Sequence, residues 1–151
     1  MALRDRLQSE LKEAMKAREA DRLSALRLIN AAIKDREIAA RGEGAGELTD
    51  ADLMAILGKM VKQRQESARI YEEGGRLELA EKELTEIRVI EEFLPRQLSP
   101  DEVETAISAA IAETGATGIR DMGRVMAALK ARHTGQMDFA AAGAAIKARL
   151  G

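Results

Sequence analysis

The two prolines of this chain, Pro95 and Pro100, lie close together and divide it. Proline cannot donate a hydrogen bond inside a helix, and it disfavours helical backbone at the residue before it. One helix is therefore expected to stop at Leu94. A second is expected to start at Ser99, because a serine followed by proline, with Glu102 three residues later, forms a capping box.

These signals predict two helical units, residues 1–94 and 95–151. Apolar residues recur at helical spacing along the chain, and no alternating strand pattern competes with them. We therefore predict an all-α fold, with an N-terminal four-helix unit joined by a proline hinge to a C-terminal three-helix unit. The second unit is short enough that its core should give it only marginal stability alone.

In the first unit, four apolar stripes mark the helices. The predicted buried positions are Leu3, Leu7, Leu11 and Met15; Leu23, Leu26, Ile29 and Ile33; Leu53, Ile56, Leu57, Met60, Val61, Ala68 and Tyr71; and Leu77, Ala80, Leu84, Ile87 and Ile90. The glycine-rich segment 41–46 predicts a flexible loop, and Thr49 with Asp52 predicts a helix cap. Arg64 falls on the buried side of the third helix, where it would need an acidic partner.

In the second unit, three shorter apolar stripes predict three short helices. Their positions are Val103, Ile107, Ala110 and Ile111; Ile119, Met122, Val125, Met126 and Leu129; and Phe139, Ala142, Ile146 and Leu150. Gly115 is expected to end the fifth helix. Gly135 is expected to turn the chain, and Asp138 to cap the seventh helix.

Composition excludes several classes of chemistry. The chain has no cysteine, which removes thiol nucleophiles and cysteine-bound zinc, and its single histidine, His133, cannot form a multi-histidine metal site. No phosphate-loop or serine-nucleophile motif occurs. We therefore predict no catalytic residue, no metal and no cofactor. The charged N-terminus and the lack of any apolar run of about 18 residues predict a cytoplasmic protein that does not bind membranes.

The net charge of −2 hides a segregation along the chain. Residues 72–113 carry four basic and twelve acidic side chains, a net charge of −8, whereas residues 115–151 carry six and two, a net charge of +4. A cationic end is typical of proteins that bind phosphate backbones, although charged helices often form solvated faces with partners three or four residues away. The scarcity of aromatic residues argues against binding by base stacking and favours contact with a folded nucleic acid.

Several basic residues are candidate phosphate contacts. The first set, in the cationic end, is Arg124, Lys130, Arg132 and Arg120; the second, opposite the apolar stripe of the third helix, is Lys59, Lys62 and Arg69. The second helix also carries basic residues, namely Arg22, Arg27, Lys34, Arg36 and Arg41.

Gly123 lies inside the predicted sixth helix, where glycine costs about 1 kcal/mol relative to alanine. Close approach of a neighbour to a position without a side chain would offset that cost. The neighbour is either another helix or an RNA backbone. Met122 and Met126, four residues apart, are interpreted as core residues.

Five segments together resemble the GatB/YqeY family of small bacterial proteins. They are residues 23–29 (LSALRLI), 32–37 (AIKDRE), 59–68 (KMVKQRQESA), 93–98 (FLPRQL) and 121–126 (DMGRVM). The resemblance spans essentially the whole chain and departs from the usual pattern at Gly118 and Ala127. The family is similar to the tail of the B subunit of the tRNA-dependent amidotransferase, which converts mischarged Glu-tRNA(Gln) or Asp-tRNA(Asn) to the amide form.

What the resemblance implies is a free-standing module that binds tRNA and acts in translation. In the amidotransferase the tail holds the tRNA elbow, and the chemistry takes place in a separate domain that this chain lacks. One alternative is a component of a glutamine-dependent carbon–nitrogen ligase that works with an amidotransferase or synthetase partner. Another is a helical protein–protein adaptor.

Overall fold

The computed structural model describes residues 2–44 and 46–151, which form seven α-helices, one 3₁₀ turn and no strand. The helices are α1 (Leu3–Ala17), α2 (Ala20–Gly42), α3 (Asp50–Glu73), α4 (Leu77–Glu91), α5 (Pro100–Thr114), α6 (Met122–Arg132) and α7 (Phe139–Leu150), with the 3₁₀ turn at Ile119–Asp121. The prediction of an all-α fold with four helices followed by three is confirmed.

The helices group into two units, Met1–Leu94 and Pro95–Gly151, each with its own apolar core. In the first unit, α1 to α4 bury a cluster whose most enclosed members are Leu26, Ile29, Leu53, Leu57 and Ile90. In the second, α5 to α7 enclose a smaller cluster, in which Ile107, Val125, Leu129 and Ile146 are buried. The helical repeat read from the sequence thus places most core residues.

The predicted caps are confirmed. Thr49 and Ser99 each accept a hydrogen bond from the backbone amide three residues later, and the side chains of Asp52 and Glu102 accept one from the cap residue's amide in return. Gly115 ends α5 in the left-handed conformation, at φ 64°. Asp138 accepts hydrogen bonds from the first amides of α7. These local signals therefore set the helix boundaries.

Three predicted core residues are exposed instead, and each lies near the end of a helix. Met15 is 53% exposed in the last turn of α1, where Ala14 is buried in its place. Leu77, the first residue of α4, is 68% exposed. Ile119 lies in the 3₁₀ turn, not in α6, and is 48% exposed. A helical stripe stops predicting burial where the neighbouring helices no longer cover it.

The glycine-rich loop begins two residues later than predicted, because α2 continues to Gly42, and α3 starts only at Asp50. Gly44 then takes φ 73°, a conformation that glycine adopts without strain. Ala45, which belongs to the predicted loop, lies outside the described residues.

The prediction of an acidic partner for Arg64 is confirmed. Its Nε donates to Glu86 Oε2 at 2.9 Å, and its guanidinium also donates to the carbonyl of Met60 at 3.3 Å. The side chains of Arg64 and Glu86 are only 16% and 12% exposed. Burial and the nearby charge of Glu86 raise the pKa of the adjacent Glu83 carboxyl. The positive charge of Arg64 therefore offsets the repulsion between the carboxylates of Glu83 and Glu86.

We predict that Arg64→Ala destabilises the protein by about 2–4 kcal/mol at neutral pH, since it leaves Glu86 largely buried without its partner. The loss should shrink on acidification, because the raised pKa of Glu83 lets that carboxyl take up a proton more readily than an ordinary glutamate, which relieves the repulsion in the site. Urea denaturation at two pH values measures both effects. Arg69→Ala, which removes exposed ion pairs with Glu66 and Glu73, is the control and should destabilise the protein much less, because solvent screens exposed pairs. An equal loss of stability in Arg64→Ala and Arg69→Ala would contradict this account.

Candidate nucleic-acid interface

Helix α6 is positioned by its apolar face, on which Val125 and Leu129 are fully buried. Met122 and Met126 pack against the same cluster, as predicted. The opposite face carries Gly123, Ala127, Lys130 and Ala131, all exposed. We call these four residues the α6 face. It is smooth because three of its residues are glycine or alanine, and Lys130 gives it a positive charge.

Gly123 is not packed by another helix, so that interpretation of its role is wrong. A Cβ built at this position would meet no heavy atom of the described residues within 4 Å. The closely approached glycine is Gly143 on α7, where the methyl carbon of Met122 would lie 3.5 Å from a Cβ and that of Met126 3.8 Å. Close approach of an RNA backbone to Gly123 stays a prediction.

Half of the six basic residues of 115–151 are paired with carboxylates of the second unit. Its ion pairs are Arg96–Glu102 at 2.9 Å, Arg124–Asp121 at 2.7 Å, Arg132–Glu113 at 2.7 Å, and Arg149–Glu104. Arg124 also donates to the carbonyl of Thr114, and Arg149 to the hydroxyl of Ser108. The segregation of charge along the chain is therefore not a segregation in space, because acidic residues of α5 pair with basic residues of α6 and α7.

Three cations of the second unit are exposed and form no ion pair with any described residue: Arg120, Lys130 and Lys147. Arg120 and Lys147 lie at the same end of the unit, since a Cβ at Gly151, one turn after Lys147, would lie 3.9 Å from the Cδ1 of Ile119. Lys147 was not among the sequence candidates. The sequence does indicate that Lys147 lacks a partner on its own helix, because no acidic residue lies three or four positions from it.

The candidates of the first unit differ in their partners. Lys59, Lys62 and Arg69 are all exposed on α3, as predicted. Arg69 forms ion pairs with Glu66 and with Glu73, the latter at 3.0 Å. These acidic partners on the same helix reduce the positive field that Arg69 would offer to a phosphate.

The carboxylates near the α6 face have structural roles. Asp121 accepts hydrogen bonds from the amides of Thr117 and Gly118 and pairs with Arg124, which together lower its pKa to about 2. The pKa of Glu102 is likewise lowered to about 2, chiefly by Arg96 and then by the amide of Ser99. Both side chains remain ionised at neutral pH, so neither is suited to act as a general acid there.

The histidine is also held by a neighbour. The Nδ1 of His133 lies 3.0 Å from the Oε1 of Gln136, in the turn between α6 and α7. Across residues 2–44 and 46–151, no group of three or more histidine, aspartate and glutamate side chains is arranged to hold a metal ion. The same residues contain no helix with the length and apolar character needed to cross a membrane.

We predict different responses of these two carboxylates when their arginines are removed. Arg96→Gln should raise the pKa of Glu102 strongly, because Arg96 is its main stabilising partner. Arg124→Gln should raise that of Asp121 less, because the Thr117 amide is its main partner. NMR titration of the carboxyl carbons in the two variants and the parent measures these shifts.

The direction of the associated stability change also follows. A lowered pKa means that both carboxylates stabilise the folded state at neutral pH, and that this contribution is lost as the pH falls from about 4.5 toward 2. Arg96→Gln should reduce the acid sensitivity of unfolding more than Arg124→Gln. Equal changes in the two variants would count against the assigned causes.

Comparison with known proteins agrees with the sequence resemblance. The family model described as Yqey-like protein matches residues 4–150. The protein named "Altered inheritance of mitochondria protein 41, mitochondrial" from Clavispora lusitaniae is 38% identical over 93 residues, which are 62% of this chain and 52% of that protein. Its namesake from Vanderwaltozyma polyspora is 32% identical over 103 residues, which are 67% of this chain and 54% of that protein.

An uncharacterized protein of Schizosaccharomyces pombe is 30% identical over 93 residues, which are 62% of this chain and 72% of that protein. The chain thus spans about half the length of the first two relatives. All three relatives come from yeasts, and two are named as mitochondrial, so the bacterial origin and the cytoplasmic location stay predictions. The match over residues 4–150 shows that this chain belongs to the YqeY-like protein family.

Proposed function

We propose that this protein is an accessory module that binds folded tRNA through basic residues and performs no chemistry alone. The observation that carries the proposal is the α6 face, on which Gly123 has open space above it and Lys130 forms no ion pair within the described residues. A phosphate backbone can approach a helix closely where side chains are absent, and a nearby lysine supplies the charge that it needs.

The structure changes the ranking of the contact residues. Arg124 and Arg132 are each held by a carboxylate, which repels phosphate and competes for the guanidinium. Arg120, Lys130 and Lys147 have no such competitor among the described residues. We therefore expect these three cations to contribute more to tRNA binding than the two arginines. The surface recognises charge and shape, since the chain has few aromatic residues for base stacking.

We predict that the triple variant Arg120→Gln, Lys130→Gln and Lys147→Gln binds unfractionated tRNA more weakly than the parent, with a flatter salt dependence. Each lost phosphate contact lowers the slope of log K against log[salt] by about 0.9 for duplex nucleic acid, so three contacts lower it by roughly two to three. Fluorescence titrations at several salt concentrations give the slope.

The control variant is Arg76→Gln, Lys82→Gln and Arg88→Gln, which changes the net charge equally within the acidic segment. It should retain nearly the parent slope. Equal losses in the two variants would show that only net charge matters. Failure of the parent to bind tRNA would favour the adaptor alternative, and co-purification with amidotransferase subunits would favour the ligase component.

A second prediction separates the stability effect of Gly123 from its role in binding. Gly123→Ala should stabilise the protein by up to about 1 kcal/mol, since alanine is the better helix former and its Cβ meets no neighbour. The same substitution should weaken tRNA binding, because a methyl group then separates the helix from the phosphate backbone. Thermal unfolding and tRNA titration measure the two effects.

Gly58→Ala is the matched control, since Gly58 is exposed within α3 and a Cβ there also meets nothing within 4 Å. It should give a similar stabilisation and leave tRNA affinity unchanged. Unaltered affinity in Gly123→Ala would remove the α6 face from the proposed contact surface.

A further inference from the structure

Helix α2 carries a row of three cations that the proposed function does not use. Arg27, Lys34 and Arg41 are separated by seven residues each, almost two helical turns, so they lie on one face. All three are exposed, and none forms an ion pair or a hydrogen bond through its side chain with a described residue. Ala31 and Ile38 lie between them on the same face. We call these five residues the α2 face.

Other basic residues of the same helix are paired, which distinguishes the α2 face. Arg22 pairs with Glu10 and Glu92, and Arg36 pairs with Glu43 at 3.6 Å. Glu37, the acidic residue nearest to Lys34 and Arg41 along one flank, is already paired with Arg4. Asp35 lies roughly 100° around the helix from Lys34. The three cations therefore project a positive field with no carboxylate among them.

The length of the row indicates the kind of ligand. At about 1.5 Å per residue, Arg27 and Arg41 lie roughly 21 Å apart along the helix axis, too far to converge on one small anion. A row of this length matches a polyanion with regularly spaced charges. An RNA duplex fits better than a lipid surface, because a helix that lies on a membrane inserts an apolar face. The apolar face of α2, with Ile29 and Ile33, is buried in the protein core.

We propose that the α2 face is a second phosphate-binding surface for folded RNA, located on the Met1–Leu94 unit. The inference rests on the proposed function, since it assigns a further contact surface for the same ligand. Two surfaces on one chain increase the overall affinity, because once one surface has bound, the other acts at a high effective concentration. Phosphate contacts on each unit then add to the slope of log K against log[salt].

The test compares two variants that remove equal charge. Arg27→Gln, Lys34→Gln and Arg41→Gln removes the row, whereas Arg36→Gln, Arg88→Gln and Arg96→Gln removes three exposed arginines that are paired within the protein. Glutamine resembles arginine and lysine in helix propensity, so α2 should be retained, which circular dichroism checks. Both variants and the parent are titrated with unfractionated tRNA at several salt concentrations.

We expect removal of the row to lower the slope of log K against log[salt] by roughly two to three if all three cations contact duplex phosphates. The paired-arginine variant should keep nearly the parent slope. Acetylation of Lys34 in the parent should also be slowed by tRNA, which mass spectrometry detects at that residue. This last readout reports contact directly and does not depend on the folding of a variant.

The outcomes separate this inference from the proposed function. If the parent does not bind tRNA, both are overturned. If Arg120→Gln, Lys130→Gln and Lys147→Gln weakens binding but the α2 variant matches its control and Lys34 is not protected, the α2 inference alone is overturned. Binding of the parent to phosphatidylserine vesicles that is lost in the α2 variant, with unchanged tRNA binding, would assign the face to membranes instead.

Discussion

Pairing between arginine and carboxylate side chains decides which positive charges of this protein stay uncompensated at its surface. Most of the arginines named above are held by an acidic residue of the same unit, as in Arg64–Glu86 and Arg132–Glu113. A cation in such a pair must exchange its partner before it can bind a phosphate. The cations without a carboxylate partner among the described residues include Lys130 on α6, Lys147 on α7 and the row on α2. The distribution of carboxylates thus shapes the positive surface as much as that of the basic residues.

The fold was predictable because its determinants are local. Helix caps such as Thr49 and Ser99 act over three residues, and an apolar stripe reports burial over one or two turns. The residues whose burial was predicted wrongly lie near helix ends; they are Met15, Leu77 and Ile119. Burial there depends on whether a distant helix reaches that far, which periodicity does not encode.

The candidate site was less predictable, because its partners come from distant parts of the chain. An ion pair three residues apart, such as Asp121–Arg124, is visible in the sequence. Those between Arg132 and Glu113, 19 residues apart, and between Arg149 and Glu104, 45 residues apart, depend on how α5 packs against α6 and α7. The packing of Gly123 was predicted wrongly for the same reason. Only the packed structure shows that methionine side chains approach Gly143 and not Gly123.

The exposed ion pairs contribute little to stability, since such pairs are typically worth less than about 1 kcal/mol each. Their larger effect is on the electric field around the protein. By neutralising Arg124, Arg132 and Arg149, the carboxylates of the second unit confine its positive potential to a few positions, among them Lys130 beside the smooth surface at Gly123. Under the proposed function, such confinement of the positive potential on the second unit favours one orientation of a bound polyanion over others. Orientation by charge does not require base stacking, which agrees with a chain that has two phenylalanines, one tyrosine and no tryptophan.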